Sequence, residues 1–157
     1  MVLAELMTAR GARAETGVFA TTCAVCHQPS GRGVPGVYPP LADTVGAYVR
    51  IPSGRRYLMH VLINGMTGPI VSHNVTYNGL MPSFANLGDG AIAAILNQVL
   101  FKLNRRLLPA GFKPITASEV HGARQDKLSA SLMSHRRARL MKALGAKVSD
   151  AARSEAR

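Results

Sequence analysis

Several kinds of residue that usually build the core of a small protein are scarce in this chain of 157 residues. There is no tryptophan, and phenylalanine and tyrosine together make up 5% of the sequence. Aromatic side chains normally supply the largest buried areas of a core. Because 47% of the residues are hydrophobic, a core is still possible. We therefore expect something other than aromatic side chains to fill the centre of the fold.

Long hydrophobic runs are also absent. No stretch of about 18 apolar residues occurs, so the sequence predicts no transmembrane helix. The N-terminal segment, residues 1–14, carries Glu5, Arg10 and Arg13. It lacks the apolar region of about 7 to 15 residues that an intact signal peptide needs. The small-x-small tripeptide at 12–14 leaves a processed leader open as an interpretation.

Acidic residues are few, and the charge is unevenly distributed. The chain has 8 acidic and 19 basic residues, a formal net charge of +11. Residues 113–157 hold ten basic and four acidic residues, a net +6. This shift in composition predicts a boundary. We expect an N-terminal segment over 1–14, a domain over 15–112 and a basic C-terminal extension over 113–157.

The chain has two cysteines, Cys23 and Cys26, in the sequence CAVCH. Two cysteines cannot build a disulfide framework or an all-cysteine zinc site. Three interpretations remain: a redox dithiol, half of a mixed metal site, and an attachment point for a haem. A thioredoxin-like dithiol requires a β-α-β context, and a zinc site requires two further ligands at suitable spacing. The sequence indicates neither.

The pattern C-x-x-C-H is typical of covalent attachment of a c-type haem. Cys23 and Cys26 lie about one helical turn apart, so their sulfurs can reach the vinyl groups of neighbouring pyrroles. His27 then lies over the face of the ring, where its imidazole can bind the iron. We predict one haem c, bound through Cys23 and Cys26, with His27 as an iron ligand.

Apolar periodicity predicts a mainly helical chain. Five helices are expected. They are the segment leading into CAVCH, a helix between an N-cap at Ser53 and a stop at Gly65, residues 89–103, a helix with a capping box formed by Thr116 and Glu119, and residues 129–144 ending at Gly145. Residues 28–40 and 66–88 are rich in glycine, proline or asparagine and show hardly any strand signal. Loops of this length need a surface to pack on, and a buried flat cofactor would supply one.

A haem bound by His27 needs a sixth iron ligand to close its other face. Met81 is followed by Pro82, which restricts the Met81 backbone to an extended conformation and helps to hold its thioether toward a buried partner. We predict Met81 as this ligand, with His73 as the alternative. The other histidines and methionines that compete are His60, His121, His135, Met7, Met59, Met66, Met133 and Met141.

Over about residues 15–104 the chain resembles the class I c-type cytochromes. The matching motifs, in order, are GVFATTCAVCH, GVPGVYPPLA, LINGMTGPI, YNGLMPSF and the helix from Asp89. The resemblance implies an all-α cytochrome c fold, with three to four core helices and two long loops around one haem. This chain adds a basic helical C-terminal extension. The resemblance also implies that Phe19 packs where the first and last core helices cross.

The resemblance assigns further roles around the haem. The Pro39 carbonyl would accept a hydrogen bond from the imidazole of His27, which fixes the tautomer of the ring. Leu41 would pack on the haem edge. Tyr77 or Asn78 would hydrogen-bond near the sulfur of the sixth ligand or near a haem propionate.

With His27 and Met81 both bound, the iron would have no open position for a substrate, which favours one-electron transfer over catalysis. We therefore predict an electron carrier, not an enzyme, that relays electrons between a redox enzyme and a respiratory or other acceptor. The alternative is a haem protein with an open or labile sixth position, acting in ligand binding or peroxidase-like chemistry. A third interpretation is a subunit in which the extension matters mainly for docking.

The extension is interpreted either as a solvated segment that is packed on the core or partly disordered, or as an electrostatic handle for a partner. That partner would be a redox protein with an acidic docking surface, such as a dehydrogenase or oxidase subunit. Nucleic acid is not predicted, and peripheral membrane contact is not favoured because the apolar face is thin. Arg55 and Arg56 either meet a haem propionate or face solvent. Since bacteria attach haem to C-x-x-C-H outside the cytoplasm, the resemblance implies a periplasmic protein or one on the outer face of the cytoplasmic membrane.

Overall fold

The computed structural model describes the backbone of residues 17–155 and the side chains of residues 17–147. The predicted segment 1–14 lies outside the described residues. The helices are α1 (17–22), α2 (Ala24–His27), α3 (Pro52–Asn64), α4 (Asp89–Leu103), α5 (Ala117–Arg124) and α6 (Ala130–Glu155), with short 3-10 helices at Val45–Arg50 and Arg105–Leu107. Two strands, β1 (Met66–Ser72) and β2 (Val75–Met81), form the sheet. Within 17–155, no helix combines the length and the apolar character needed to cross a membrane.

The mainly helical fold is confirmed, but the long loop predicted over 66–88 is wrong for most of its length. Strands β1 and β2 pair antiparallel, from Met66 opposite Met81 to Ser72 opposite Val75. The turn between them consists of His73 and Asn74, with φ angles of 49° and 62°. Two residues with positive φ are the signature of a tight hairpin turn whose twist matches the strands. Glycine, proline and asparagine within the strands concealed this pattern in the sequence.

Helix α3 begins and ends at residues that explain its bounds. Ile51 is the N-cap, so the N-cap predicted at Ser53 is wrong. Pro52 is the first helical residue, where its missing N–H costs nothing. Gly65 ends the helix with a φ of 69°. A Cβ at Gly54 would lie 1.9 Å from the Tyr48 carbonyl oxygen. The glycine therefore allows α3 to pack directly against the 3-10 helix before it.

The C-terminal extension packs on the other helices. The capping box of α5 is present: Thr116 Oγ1 accepts from the Glu119 amide at 3.2 Å, and Glu119 Oε2 accepts from the Thr116 amide at 2.9 Å. Several apolar side chains of the extension are buried in the same core as α3 and α4. They are Ile115, Val120, Ala123, Met133 and Leu140. The boundary at residue 112 stays a prediction, but 113–147 does not form a separate solvated tail.

Helix α6 is longer than the sequence predicted. It was expected to end at Gly145, but it continues to Glu155. Gly145 is not among the glycines with positive φ, so it keeps a helical backbone. A glycine inside a helix costs about 1 kcal/mol relative to alanine. No proline follows within the helix, and this cost is too small to end it.

Candidate functional site

A deep apolar cleft occupies the centre of the molecule. Its cavity volume is about 180 Å³, and its mouth is open to solvent. Its walls come from α2, the irregular segment after it, α3, the hairpin and α4. The apolar side chains in these walls include Leu41, Leu58, Val61, Leu62, Ile95, Leu96, Val99 and Leu100. Packed cores leave few spaces larger than a water molecule, so a cleft of this size is shaped to hold a large apolar group.

The two cysteines and His27 lie at one wall of this cleft. The His27 amide donates to the Cys23 carbonyl oxygen at 2.9 Å, and the Cys23 amide donates to the Phe19 carbonyl oxygen at 2.9 Å. These bonds wind the chain so that both sulfurs and the imidazole reach the same space. Phe19 is 3% exposed and anchors the turn in the core.

The acidity of the Cys23 thiol does not suit a redox dithiol. Burial, together with the nearby Cys26, raises the pKa of the Cys23 thiol to about 11. A reactive dithiol needs a lowered pKa, because the thiolate is the nucleophile. A β-α-β unit around the pair is also missing from the described chain, whose two strands form a hairpin. The same residues contain no cluster of three His, Cys, Asp or Glu that would suit a zinc ion.

His27 is oriented by the backbone of the following loop. Its Nδ1 lies 2.8 Å from the Pro39 carbonyl oxygen. A carbonyl can only accept, so Nδ1 carries the proton and Nε2 keeps a lone pair for a metal ion. Burial lowers the pKa of His27, against the opposing effect of the Pro39 hydrogen bond. A neutral imidazole is the form that binds metal.

Gly33 allows the loop to come close enough for this contact. Its φ is 66°, and its amide donates to the His27 carbonyl oxygen at 2.9 Å. A Cβ at Gly33 would lie 2.2 Å from the Tyr38 carbonyl oxygen and 2.7 Å from that of Pro39. Glycine is therefore required here both for its backbone conformation and for space.

Two methionines line the cleft, directly opposite each other in the hairpin. Met66 and Met81 are paired residues of β1 and β2. The Tyr57 hydroxyl donates a hydrogen bond to the Met66 sulfur at 3.5 Å, so this thioether already has a partner. Met81 is half-buried at the end of β2, just before Pro82. Of the two, Met81 is therefore better suited to bind a metal ion in the cleft.

Apart from Met66, the other candidates for the sixth ligand within residues 17–147 lie away from the cleft, and Met7 lies outside the described residues. His73 is in the hairpin turn, with Nε2 2.9 Å from the Thr44 hydroxyl. His60 is fully buried on the opposite side of α3, and His121 is exposed beside Asp89. Among the residues lining the cleft, His27 is the one histidine. Met59, Met133, Met141 and His135 are likewise absent from its lining.

Leu41 and Tyr77 both lie in the cleft wall, as the resemblance implied. Tyr77 is 5% exposed, and its side chain comes from the inner face of β2. Asn78 is exposed on the opposite face and does not line the cleft. Of these two alternatives, Tyr77 is the residue that can hydrogen-bond to a group in the site.

Arg55 and Arg56 were predicted either to meet a haem propionate or to face solvent, and the structure does not support the propionate alternative. Neither lines the cleft. Arg55 forms a two-pronged ion pair with Glu119, with nitrogen–oxygen distances of 2.7 and 2.8 Å. Arg56 pairs with Asp126 at 3.0 Å. Both arginines instead bind acidic residues of the C-terminal extension.

Arg137 was missed by sequence reasoning, which treated the extension as separate from the site. It lines the cleft and is 7% exposed. Its guanidinium donates to the Val71 carbonyl oxygen at 2.8 Å and to the Tyr48 hydroxyl at 3.0 Å. It takes part in none of the ion pairs formed within 17–147. The spacing of Arg137 with the buried Met133 and Leu140 was the available signal, because all three share one helix face.

Comparisons with known sequences agree with this geometry. The sequence profile of the family described as Cytochrome c matches residues 12–99. A protein named Cytochrome c-552 from one strain of Thermus thermophilus is 42% identical over 118 residues, which is 75% of this chain and 80% of the relative. A second Cytochrome c-552 from Thermus thermophilus is 45% identical over 107 residues, or 68% of this chain and 82% of the relative.

Proposed function

The chain belongs to the cytochrome c family, and from this premise we propose that Cys23, Cys26, His27 and Met81 hold its haem in the central cleft. Membership makes the protein a carrier of covalent haem c that transfers electrons and is not an enzyme. When bound, the haem supplies an iron ion that accepts or releases one electron.

Each of these residues has a separate task in the proposed site. Cys23 and Cys26 provide the two sulfurs for thioether bonds. His27 binds iron through Nε2, while its Nδ1–H, held by Pro39, keeps the ring from rotating. Met81 binds from the hairpin side. Histidine–methionine ligation raises the reduction potential relative to other axial pairs.

The observation that supports this proposal is that His27 and Met81 both line one apolar cleft. With both residues bound, neither face of the ring is open to oxygen, peroxide or another small ligand. The apolar walls exclude water, so little solvent needs to reorganise when the charge changes. Val37, Tyr38 and Leu80 line the cleft and are 55%, 38% and 71% exposed. We propose that electrons enter and leave at this rim.

Arg137 supplies positive charge inside the cleft. A buried guanidinium without a carboxylate partner is costly, and a haem brings two carboxylates of its own. We propose that Arg137, with the Tyr48 and Tyr77 hydroxyls nearby in the wall, binds a haem propionate. The C-terminal extension would then be part of the haem site.

The surface charge supports an acidic redox partner. Three acidic residues of the described chain, Asp89, Glu119 and Asp126, are already paired with arginine or histidine. The remaining exposed charges are mainly positive. Positive surfaces speed the encounter with an acidic protein and lose this effect as salt is added.

We propose that the protein relays electrons from a redox enzyme, such as a dehydrogenase, to a respiratory acceptor. The C-x-x-C-H sequence supports a location in the periplasm or on the outer face of the cytoplasmic membrane, where haem is attached. The domain over 15–112 would carry the haem, and 113–157 would complete its cover.

Redox titration of the holoprotein, followed by peroxide addition, tests electron transfer against the alternative chemistry. We expect a reversible one-electron change and no oxidation of a peroxidase substrate above the rate of free haem. Turnover with peroxide, or binding of carbon monoxide to the reduced iron without delay, would support the open-site alternative instead.

A further inference from the structure

A buried histidine connects α3 to the C-terminal extension on the side away from the cleft. His60 is 0% exposed. Its Nδ1 lies 3.0 Å from an Arg136 nitrogen of α6, and its Nε2 lies 3.0 Å from Asp126 Oδ2 in the turn between α5 and α6. The second contact is close but is not aligned as a hydrogen bond. One imidazole therefore contacts the extension at two points.

The contact with Arg136 fixes the protonation state of His60. A guanidinium has no acceptor, so Nδ1 must accept the hydrogen bond and must be unprotonated. The proton of the neutral ring is then on Nε2, facing the Asp126 carboxylate. A second proton, on Nδ1, would break the bond and place two cations side by side in a buried position.

The charged groups that face His60 come from three parts of the chain. Arg56 lies on α3 itself, Asp126 in the turn between α5 and α6, and Arg136 on α6. Burial and the positive charge of Arg136 lower the pKa of His60, while Asp126 opposes the shift and Arg56 adds to it. Arg56 also donates to the same Asp126 oxygen at 3.0 Å. The two arginines thus outnumber the one carboxylate around the ring.

We propose that His60, Asp126 and Arg136 form a pH-sensitive latch, which holds α6 against α3 while His60 is neutral and loosens α6 when His60 is protonated. Arg137, the next residue after Arg136, lines the cleft. Release of the latch is therefore transmitted to the side of α6 that covers the proposed haem site. The effect on the haem site rests on the proposed function, whereas the latch itself does not.

The direction of the pH effect follows from proton linkage. His60 has its ordinary pKa, about 6.5, when α6 is released and the ring is solvated. In the closed state the pKa is lowered, so the released state binds more protons at mildly acidic pH. The closed state is therefore fully favoured above about pH 6.5, and the equilibrium constant for release rises about tenfold per pH unit below it. The rise ends at the lowered pKa of the closed state.

Nuclear magnetic resonance of the reduced holoprotein tests the latch between about pH 8 and about pH 4.5, the range in which histidine titrates. We expect the His60 ring to titrate below its ordinary pKa, and the amides of Arg136 and Ala138 to shift with the same midpoint. In His60→Leu the amide transition should disappear. His121→Leu, which replaces a histidine that is 70% exposed, should leave it unchanged.

Two further variants keep the proposal testable if His60→Leu does not fold. Asp126→Asn should move the midpoint to lower pH, because it removes the charge that favours protonated His60. Arg136→Ala should move the His60 midpoint to higher pH. The latch is overturned if the α6 amides do not follow His60, or if both variants leave the midpoint unchanged. The haem absorption spectrum at about pH 8, where His60 is neutral, reports separately on the proposed iron ligands.

Discussion

The two faces of helix α3 are stabilised by different forces. One face, with Leu58, Val61 and Leu62, forms an apolar wall of the cleft. His60, on the other face, and Arg55, near the start of the helix, meet the C-terminal extension through polar contacts. These polar side chains find their partners within the chain, whereas the apolar face is shaped for a group that the chain does not encode. Haem binding and docking of the extension should therefore be separable by mutation.

The largest effect is expected from removing the covalent attachment. In the double variant Cys23→Ser, Cys26→Ser, haem should be lost on denaturing gels, and the apolar cleft should no longer support a compact fold. Circular dichroism and haem staining measure both results. Val25→Ser, between the cysteines and 70% exposed, should match the unmodified protein. A double variant that folds with the same stability without haem would show that the cleft face needs no cofactor.

A second change acts on the cleft face through the loop that holds His27. Gly33→Ala forces a positive φ on a residue with a Cβ and crowds the Tyr38 and Pro39 carbonyls. We expect a loss of about 2 to 4 kcal/mol in unfolding free energy. Gly36→Ala is the matched control, because it also has a positive φ but has open space around it; it should cost about 1 kcal/mol. Equal losses in denaturant unfolding would mean that the approach of the loop to His27 is not important.

A third change tests the polar contacts between α3 and the C-terminal extension. Arg55→Ala removes a paired interaction with Glu119 and hydrogen bonds to the Lys113 and Pro114 carbonyl oxygens, both at 2.8 Å. We expect a loss of about 1 to 2 kcal/mol in unfolding free energy, without a change in the haem spectrum. Arg56→Ala, whose side chain is 57% exposed, should cost less than about 1 kcal/mol. A change in the haem spectrum of Arg55→Ala would contradict the claim that haem binding and docking of the extension are separable.

The smallest expected effect is on the pH dependence of stability, through the ion pair between Arg55 and Glu119. The Arg55 hydrogen bond is the main reason why the pKa of Glu119 falls from 4.5 to about 2. Its contribution to stability is therefore complete above about pH 4.5 and is lost as the pH falls through about 2. Thermal unfolding over this range should show a shallower pH dependence in Arg55→Ala than in the unmodified protein. An identical slope in the two proteins would exclude Glu119 as the source.

Short local motifs, CAVCH and the Met81–Pro82 pair, predicted residues that line one cleft in the structure. The proline twelve residues after His27 was implied by the family resemblance, and it lines the same cleft. The capping box of α5 was found for the same reason. The hairpin was missed because its strands contain Gly68, Pro69 and Gly79, which obscure the strand alternation.

The role of the extension could not be predicted, because it depends on contacts between distant residues. Arg137 is separated from Tyr48 by 89 residues in the chain, and Arg136 from His60 by 76. The spacing of Met133, Arg137 and Leu140 places Arg137 on the apolar face of α6, but it does not say what that face packs against. The packing of α6 on the hairpin and on α3 decides this, and periodicity in a single sequence does not reveal it.

The near-infrared absorption spectrum of the oxidised holoprotein tests whether Met81 closes the iron site. We predict a weak sulfur–iron(III) band that is lost in Met81→Ala and kept in Met66→Leu, because the Tyr57 hydroxyl donates a hydrogen bond to the Met66 sulfur. A band that survives in Met81→Ala, or a high-spin spectrum in the unmodified protein, would contradict it.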